Sequence, residues 1–120
     1  MNAVKHILLV DDDGLMLSLI ARALSDYHVT VARDGDEALH MAGPGTPIDL
    51  LITDYLMQTM TGDELLGRIR EKRPTLKALI ITGHSEILEH ELPDWWKAEA
   101  HLAKPFSIVD LRNAVQRLIG

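Results

Sequence analysis

Short apolar runs separated by segments of helical spacing limit most strongly how this chain folds. Four compact runs lie at 7–10, 29–31, 48–52 and 79–81, and a weaker one lies at 101–103. Runs of this length, rich in Ile, Val and Leu, are typical of strands that are buried on both faces of a sheet. The sequence therefore predicts five strands of this kind.

The segments between these runs carry apolar residues three or four positions apart, as on the inner face of an amphipathic helix. The spacing occurs in three groups: Leu17, Ile20 and Leu24; Leu65, Leu66 and Ile69; and Ile108, Leu111, Val115 and Leu118. Five strands that alternate with five helical segments in 120 residues predict right-handed crossovers. We expect a flavodoxin-like, doubly wound α/β fold, with a five-stranded parallel sheet in the order 2-1-3-4-5 and helices on both faces.

Local signals mark where several helices begin and end. An oxygen-bearing side chain is followed three residues later by an acid in Asp34 with Glu37, Thr61 with Glu64, and Ser107 with Asp110. The stretch from Ser85 to Ala100 is the least regular. We expect Pro93 to end a short fourth helix, with Asp94-Trp95-Trp96 following without a clear period.

Composition and charge narrow the class of protein. A chain of 120 residues is sufficient for one domain, residues 1–120, with its own apolar core. The absence of cysteine excludes disulfides and thiolate chemistry. A net charge of −6, without a run of Lys and Arg, disfavours direct binding to nucleic acid. We find no apolar stretch long enough for a signal peptide or a membrane span, so we expect a cytoplasmic protein.

Polar residues follow the predicted strands at the edge where an open α/β sheet forms its ligand crevice. They are Asp11, Asp12 and Asp13 after the first strand, Asp54 after the third, Thr82 after the fourth and Lys104 after the fifth. Carboxylates gathered at one edge repel one another, so a fold that gathers them is expected to bind a cation there. Magnesium prefers oxygen ligands, and we expect Mg²⁺ to be held by Asp11, Asp12 and Asp54.

The same side chains together suit phosphoryl transfer. Lys104 is expected to contact one phosphoryl oxygen and the Thr82 hydroxyl another, which leaves the Asp54 carboxylate as the in-line nucleophile. Taken singly, Thr82 and Lys104 are more commonly a strand-end hydroxyl and a solvated surface charge. Asp12 or Asp13 alone is equally well explained as a helix cap. The phosphoryl-transfer hypothesis therefore depends on the joint placement of these residues. The product of the transfer would be an aspartyl phosphate.

Five segments follow one another in a specific order: Leu9-Val10-Asp11-Asp12-Asp13, Ile52-Thr53-Asp54-Tyr55-Leu56-Met57, Thr61-Gly62-Asp63-Glu64-Leu65, Ile81-Thr82-Gly83 and Lys104-Pro105-Phe106. Together they resemble the receiver domain of response regulators in two-component signalling, over essentially the whole chain. The resemblance implies that Asp54 accepts a phosphoryl group from a phosphohistidine of a histidine kinase or a histidine phosphotransfer protein. It implies a signalling switch rather than an enzyme that turns over an external substrate.

The resemblance also implies finer features of the site. Asp12, Asp54 and the main-chain carbonyl of Leu56 would coordinate Mg²⁺, and Asp11 would act on the metal through water. The peptide bond between Lys104 and Pro105 would be cis.

A switch is implied as well. Phosphorylation would draw Thr82 towards the phosphoryl group, and the residue at the position of His101 would swing inward. The surface formed by the fourth helix, the fifth strand and the fifth helix would then change for a downstream protein, or for an output domain outside this sequence.

Departures from the family pattern keep two other functions open. His101 stands where the family usually has Tyr or Phe, and Gln58 stands where Pro is common. A pseudo-receiver that only binds partners is one rival, although the acid, Thr and Lys set is complete. A magnesium-dependent phosphohydrolase is the other, but it requires a second acid two residues after the nucleophile, where this chain has Leu56.

Overall fold

The fold is a single five-stranded parallel sheet, seen in a computed structural model that describes residues 3–91 and 93–120. The strands are β1 (His6–Val10), β2 (His28–Ala32), β3 (Leu50–Asp54), β4 (Lys77–Thr82) and β5 (Ala100–Ala103). They lie in the order β2-β1-β3-β4-β5, and every neighbouring pair is parallel. The predicted flavodoxin-like arrangement is confirmed.

Helices connect the strands and cover both faces of the sheet. Within the described ranges they are α1 (Gly14–Ala23), α2 (Gly35–Met41), α3 (Gly62–Arg70), α4 (Ser85–Glu91), α5 (Asp94–Ala98) and α6 (Ile108–Ile119). None of these helices is long and apolar enough to cross a membrane.

Alternation along β1 divides the core between the two faces. Ile7 and Leu9 pack with residues of α1 and α6, whereas Leu8 and Val10 pack with residues of α2 and α3. The strands β1, β3 and β4 are buried almost throughout, as predicted. The prediction is wrong for β2 and β5, which expose alternate or successive residues. Both are edge strands, which have a neighbouring strand on one side only.

The helical spacing identified the inward faces of three helices with one error. Leu17 and Ile20 on α1, the apolar residues of α3, and Leu111 and Val115 on α6 are buried. Ile108 is half exposed, at 50%. It is the first residue of α6, one turn before Leu111, where the helix reaches the sheet.

Capping side chains begin most of the predicted helices. Asp34 accepts a hydrogen bond from the main-chain N–H of Glu37 at 2.7 Å, and Ser107 accepts one from Asp110 at 3.0 Å. Thr61 occupies the cap position of α3, but its side chain makes no capping hydrogen bond, so that part of the prediction is wrong. The start of α3 is held instead by the main chain, where the N–H of Gly62 donates to the carbonyl of Tyr55 at 2.7 Å.

The irregular segment before β5 contains one helix more than the sequence predicts. The fourth helix ends at Glu91, before Pro93, as expected. Pro93 then occupies the cap position of the short helix α5, which carries both tryptophans, and Trp96 is buried. Proline is compatible with the start of a helix because its fixed φ is helical and the first N–H groups need no helical partner. A five-residue helix is too short to show a period in the sequence.

Gly62 lets α3 approach the end of β3 closely, and Gly62→Ala tests this contact. A Cβ at this position would overlap the main-chain oxygen of Asp54, and backbone cannot move aside cheaply. We expect a loss of about 1–3 kcal/mol in the free energy of unfolding, measured by chemical denaturation.

Gly67→Ala is the matched control, because Gly67 lies on the same helix and an added Cβ meets nothing within 4 Å. Here we expect a gain of about 0.5–1 kcal/mol from higher helix propensity. Equal effects of the two substitutions would contradict the close contact at Gly62.

Candidate functional site

The carboxyl edge of the sheet gathers the polar residues predicted from the sequence. Asp11 and Asp12 directly follow β1, Asp54 is the last residue of β3, and Thr82 is the last residue of β4. Lys104 directly follows β5, and its main-chain N–H donates to the carbonyl of Thr82 at 2.7 Å. The prediction that these residues converge is therefore confirmed.

Three of the acids form a compact cluster of oxygen atoms. Asp11, Asp12 and Asp54 each offer one carboxylate oxygen, and these oxygens all lie within 4.8 Å of one another. Asp11 is buried, Asp54 is half-buried and Asp12 is exposed. A cluster of hard oxygen donors that is open on one side suits Mg²⁺, which usually keeps several waters and takes few protein carboxylates. The residues present therefore fit a divalent cation of this class.

Asp13 lies next to the acid cluster in sequence, but its side chain caps a helix. Its side chain accepts hydrogen bonds from the main-chain N–H groups of Leu15 and Met16, at 3.0 and 3.4 Å. It is thus the N-cap of α1. The sequence left open whether Asp12 or Asp13 caps this helix, and the hydrogen bonds assign the cap to Asp13.

Lys104 bridges the two least exposed acids. Its Nζ lies 3.5 Å from Oδ2 of Asp11 and 3.4 Å from Oδ2 of Asp54. The other oxygens are held by main-chain donors: Oδ1 of Asp11 accepts from the N–H of Asp13, and Oδ1 of Asp54 accepts from the N–H of Tyr55, both at 2.9 Å. Each carboxylate therefore has a fixed orientation, with Oδ2 turned towards the lysine.

Burial raises the pKa of both carboxyls above the ordinary value of 3.8. For Asp11 desolvation is the largest cause, opposed by the N–H of Asp13 and by Lys104. For Asp54 desolvation is again the largest cause and the charge of Asp11 adds to it, while Lys104 opposes both. One ammonium group thus does not fully offset the desolvation of the buried Asp11 and the half-buried Asp54, and a further positive charge would stabilise the site.

Thr82 presents a hydroxyl group to the same edge. Its side chain is fully buried, and Oγ1 accepts a hydrogen bond from the main-chain N–H of His84 at 2.9 Å. In the part of the chain that the structure describes, the Thr82 hydroxyl donates to no acceptor. The proton is available for an oxygen that enters the site.

The family resemblance also implicates Leu56 and His101. The side chain of Leu56 is 46% exposed, and the residue forms an isolated bridge with Thr61. His101 is exposed, and its ring stacks on Trp96 with centroids 3.5 Å apart and an interplanar angle of 18°. The peptide bond between Lys104 and Pro105 is cis, as the resemblance implied.

A row of aromatic rings beside the site was not foreseen. The centroids of Tyr55 and Trp95 are 4.9 Å apart, those of Trp95 and Trp96 are 5.5 Å apart, and Trp96 continues to His101. Nε1 of Trp96 donates to Glu89 of α4 at 3.0 Å. The row connects the residue after Asp54 with β5. No sequence pattern marks it because its members come from three separate segments.

Comparisons with known proteins agree with this arrangement. The family model described as "Response regulator receiver domain" matches residues 7–116. The "Response regulator receiver protein CpdR" of Brucella abortus is 35% identical over 97% of this chain and 98% of that protein. The "Sensor histidine kinase TmoS" of Ectopseudomonas mendocina is also 35% identical, over 96% of this chain but 12% of that protein.

Solved structures with the same fold include a chemotaxis protein and a receiver domain of a hybrid histidine kinase. The chemotaxis protein CheY4 of Vibrio cholerae has a TM-score of 0.85 and 29% identity, and the match covers 97% of this chain and 99% of that one. The receiver domain of the hybrid histidine kinase CckA has a TM-score of 0.78 and 33% identity, with 96% and 99% covered. Matching domains thus occur both as nearly whole proteins and as segments of kinases.

The electrostatics of the cluster lead to a prediction for Asp54→Asn. Because the folded state raises the pKa of Asp54, the charged carboxylate lowers stability at any pH above that pKa. The neutral amide should therefore raise the free energy of unfolding, and with it the melting temperature, at neutral pH without divalent cations. The gain should vanish as the pH falls to 3.8 and below, where the wild-type carboxyl becomes protonated in both states.

Thermal melts in EDTA across this pH range measure the effect. Asp36→Asn is the control, because Asp36 is an exposed acid on α2 outside the cluster and its removal should give no gain. Added Mg²⁺ should raise the melting temperature of the wild type more than that of Asp54→Asn. Identical melting temperatures of the wild type and Asp54→Asn at neutral pH would contradict the raised pKa of Asp54.

Proposed function

The chain belongs to the response regulator receiver domain family, and on that premise we propose that Asp54 accepts a phosphoryl group from a phosphohistidine and thereby switches the protein's outer surface. Members of this family act as signalling switches in two-component systems. The donor would be a histidine kinase or a histidine phosphotransfer protein. The reader would be a downstream protein, or an output domain that is not part of this sequence.

The observation that carries the proposal is the environment of the Asp54 carboxylate. One oxygen is fixed by the N–H of Tyr55, and the other lies 3.4 Å from Nζ of Lys104, in a residue that forms the acid cluster with Asp11 and Asp12. An oxygen held in this way can attack phosphorus in line with the departing group. The new P–O bond forms as the P–N bond to the donor histidine breaks, and the imidazole leaves with its electron pair.

Lys104 and Thr82 would receive the charge that moves onto the phosphoryl oxygens. Lys104 lies within 3.5 Å of both Asp11 and Asp54, so its ammonium would be beside a phosphoryl group that arrives on Asp54. Thr82 offers a hydroxyl proton at the end of the neighbouring strand. Fixed donors of this kind stabilise developing negative charge at little cost in reorganisation.

Asp11, Asp12 and Asp54 would hold Mg²⁺, together with the main-chain carbonyl of Leu56. A bound Mg²⁺ supplies positive charge that offsets the repulsion between the carboxylates and an incoming phosphoryl group. The raised pKa of Asp11 and of Asp54 supports this assignment, because each carboxylate is under-compensated by Lys104 alone.

The rival phosphohydrolase activity has less support. Such an enzyme needs an acid that gives a proton to the leaving group and then activates water. The residue two positions after Asp54 is Leu56, whose side chain cannot transfer a proton. The site therefore fits a single phosphorylation event better than turnover of an external substrate.

The switch would run through Thr82 and His101. Thr82 pairs with Ala103, and two residues earlier Ile80 pairs with His101 on the same face of the sheet. When Thr82 turns towards a phosphoryl oxygen, it would vacate space on this face. His101 must then leave its stack on Trp96, a contact worth on the order of 1 kcal/mol. Trp96 donates a hydrogen bond to Glu89 of α4. The movement of His101 would therefore reach α4 and alter the surface formed by α4, β5 and α6.

Intact mass spectrometry with acetyl phosphate as donor tests the chemistry. The wild type with Mg²⁺ should gain one phosphoryl group, while Asp54→Asn and the wild type in EDTA should gain none. Asp12→Asn and Asp13→Asn form a matched pair, since the residues are adjacent acids with different contacts. We expect Asp12→Asn to lower the rate by about tenfold or more, and Asp13→Asn to change it little.

Two outcomes would overturn the proposal. An adduct on Asp54→Asn would place the phosphoryl group elsewhere. No adduct on the wild type, even with a phosphorylated histidine kinase as donor, would make the chain a pseudo-receiver that acts only by binding.

Tryptophan fluorescence tests the switch. Trp95→Phe leaves Trp96 as the sole tryptophan, because the chain has two. A stacked imidazole quenches indole emission by contact, so phosphorylation should raise the emission of Trp96 if His101 leaves the stack. In Trp95→Phe combined with His101→Ala the emission should be high from the start and should not respond. Unchanged emission of Trp96 in fully phosphorylated Trp95→Phe would rule out this route.

A further inference from the structure

A cationic groove lies at the opposite edge of the sheet from the acid cluster. It has a volume of about 550 Å³ and is built from the residue before β1, the loop that leads into β3, the loop between α3 and β4, and the end of α6. All these segments meet at the amino ends of the strands. The groove therefore shares no residue with the phosphoryl site.

The charge of this groove differs from that of the whole protein. Four basic side chains line it, namely Lys5, Lys72, Arg73 and Lys77, against one acid, Asp49. The protein as a whole has a net charge of −6. The sequence shows no run of basic residues because the cluster is assembled from separate segments.

The basic groups are not neutralised within the protein. Among residues 3–91 and 93–120, none of the four forms an ion pair with a carboxylate. Asp49 is occupied elsewhere, since its Oδ2 accepts the main-chain N–H of His6 at 2.7 Å. The groove therefore keeps an uncompensated positive charge.

Two of the cations are already held in place. Arg73 donates to the carbonyls of Gly43, at 3.0 Å, and Thr46, and Nζ of Lys77 donates to the carbonyl of Leu118 at 2.8 Å. Neutral carbonyl partners leave the positive charges intact. Fixed side chains lose less conformational entropy when a ligand binds than mobile ones do.

We propose that this groove binds an acidic peptide segment of a partner protein, independently of phosphorylation. The carboxylates of such a segment would face the four basic side chains. Its apolar side chains would contact the apolar residues that also line the groove, Ile48, Leu76, Leu118 and Ile119. Basic and apolar side chains in one groove are the two features that a segment of alternating acidic and apolar residues matches.

A nucleic acid is the less suitable occupant. Its backbone would meet few cations here, and single-module interfaces with DNA typically cover about 600–1,000 Å² of protein surface. The net charge of −6 would also repel a long polyanion. A peptide can enter the groove without approaching the acidic edge of the sheet.

Titration of ¹⁵N-labelled protein followed by NMR tests the proposal and detects weak binding. The probe is a short synthetic peptide in which two Glu residues follow each Leu, and the control peptide has Gln in place of each Glu. We expect amide shifts confined to the segments that form the groove, and weaker binding as salt is added. Asp54→Asn should bind the peptide as the wild type does.

Charge variants give the decisive comparison. In the described chain the side chains of Lys5 and Lys72 make no hydrogen bond, so Lys5→Gln and Lys72→Gln remove charge without breaking a side-chain contact. Each should weaken binding by about threefold, and the pair together by about tenfold. Lys97→Gln is the matched control, because Lys97 is an exposed lysine on α5 outside the groove.

Several results would overturn the proposal. They are equal affinity for the Glu and Gln peptides, equal loss in Lys97→Gln and Lys72→Gln, or shifts that map to the acid cluster instead. Tighter binding of a duplex oligonucleotide to the same residues would replace the peptide with nucleic acid. None of these results would bear on phosphorylation of Asp54, which is measured separately.

Discussion

The burial of carboxylates at the carboxyl edge of the sheet is the constraint on which the rest of the structure depends. Desolvation is the largest cause that raises the pKa of both Asp11 and Asp54. The charge of Asp12 adds to it for Asp11 and the charge of Asp11 adds to it for Asp54, while Lys104, 3.5 and 3.4 Å away, offsets the increase only in part. A protein tolerates such an arrangement when the surrounding structure holds the groups in place. The same uncompensated negative charge would favour a bound cation, and this supports the proposed phosphoryl site.

The parallel sheet supplies the rigidity that this site requires. The central strands β1 and β3 are buried on both faces, and they end in the two acids that repel each other. Main-chain donors at Asp13 and Tyr55 then fix the carboxylate orientations, and the close contact at Gly62 fixes the backbone after Asp54. Packing in the core thus holds the two carboxylates at the edge of the sheet in fixed positions, as a reaction between closely spaced groups requires.

The two ends of the strands carry charges of opposite sign. Acids gather at the carboxyl ends, and four basic side chains gather at the amino ends. The aromatic row that includes Trp96 and His101 lies beside the acidic end and leads towards α4 through Glu89. The proposed phosphorylation and the proposed peptide binding would therefore use opposite edges of the sheet.

Periodicity and strand-end chemistry were enough to determine the fold class and to bring together Asp11, Asp12, Asp54 and Lys104, because strand ends in a parallel sheet share one edge. Only the tertiary structure decided which acid caps α1, that Pro93 begins a helix, and that Thr61 makes no side-chain cap. The aromatic row and the basic groove were likewise invisible in the sequence. Each joins residues from distant segments, and such contacts arise from the packing of whole elements, which local patterns do not encode.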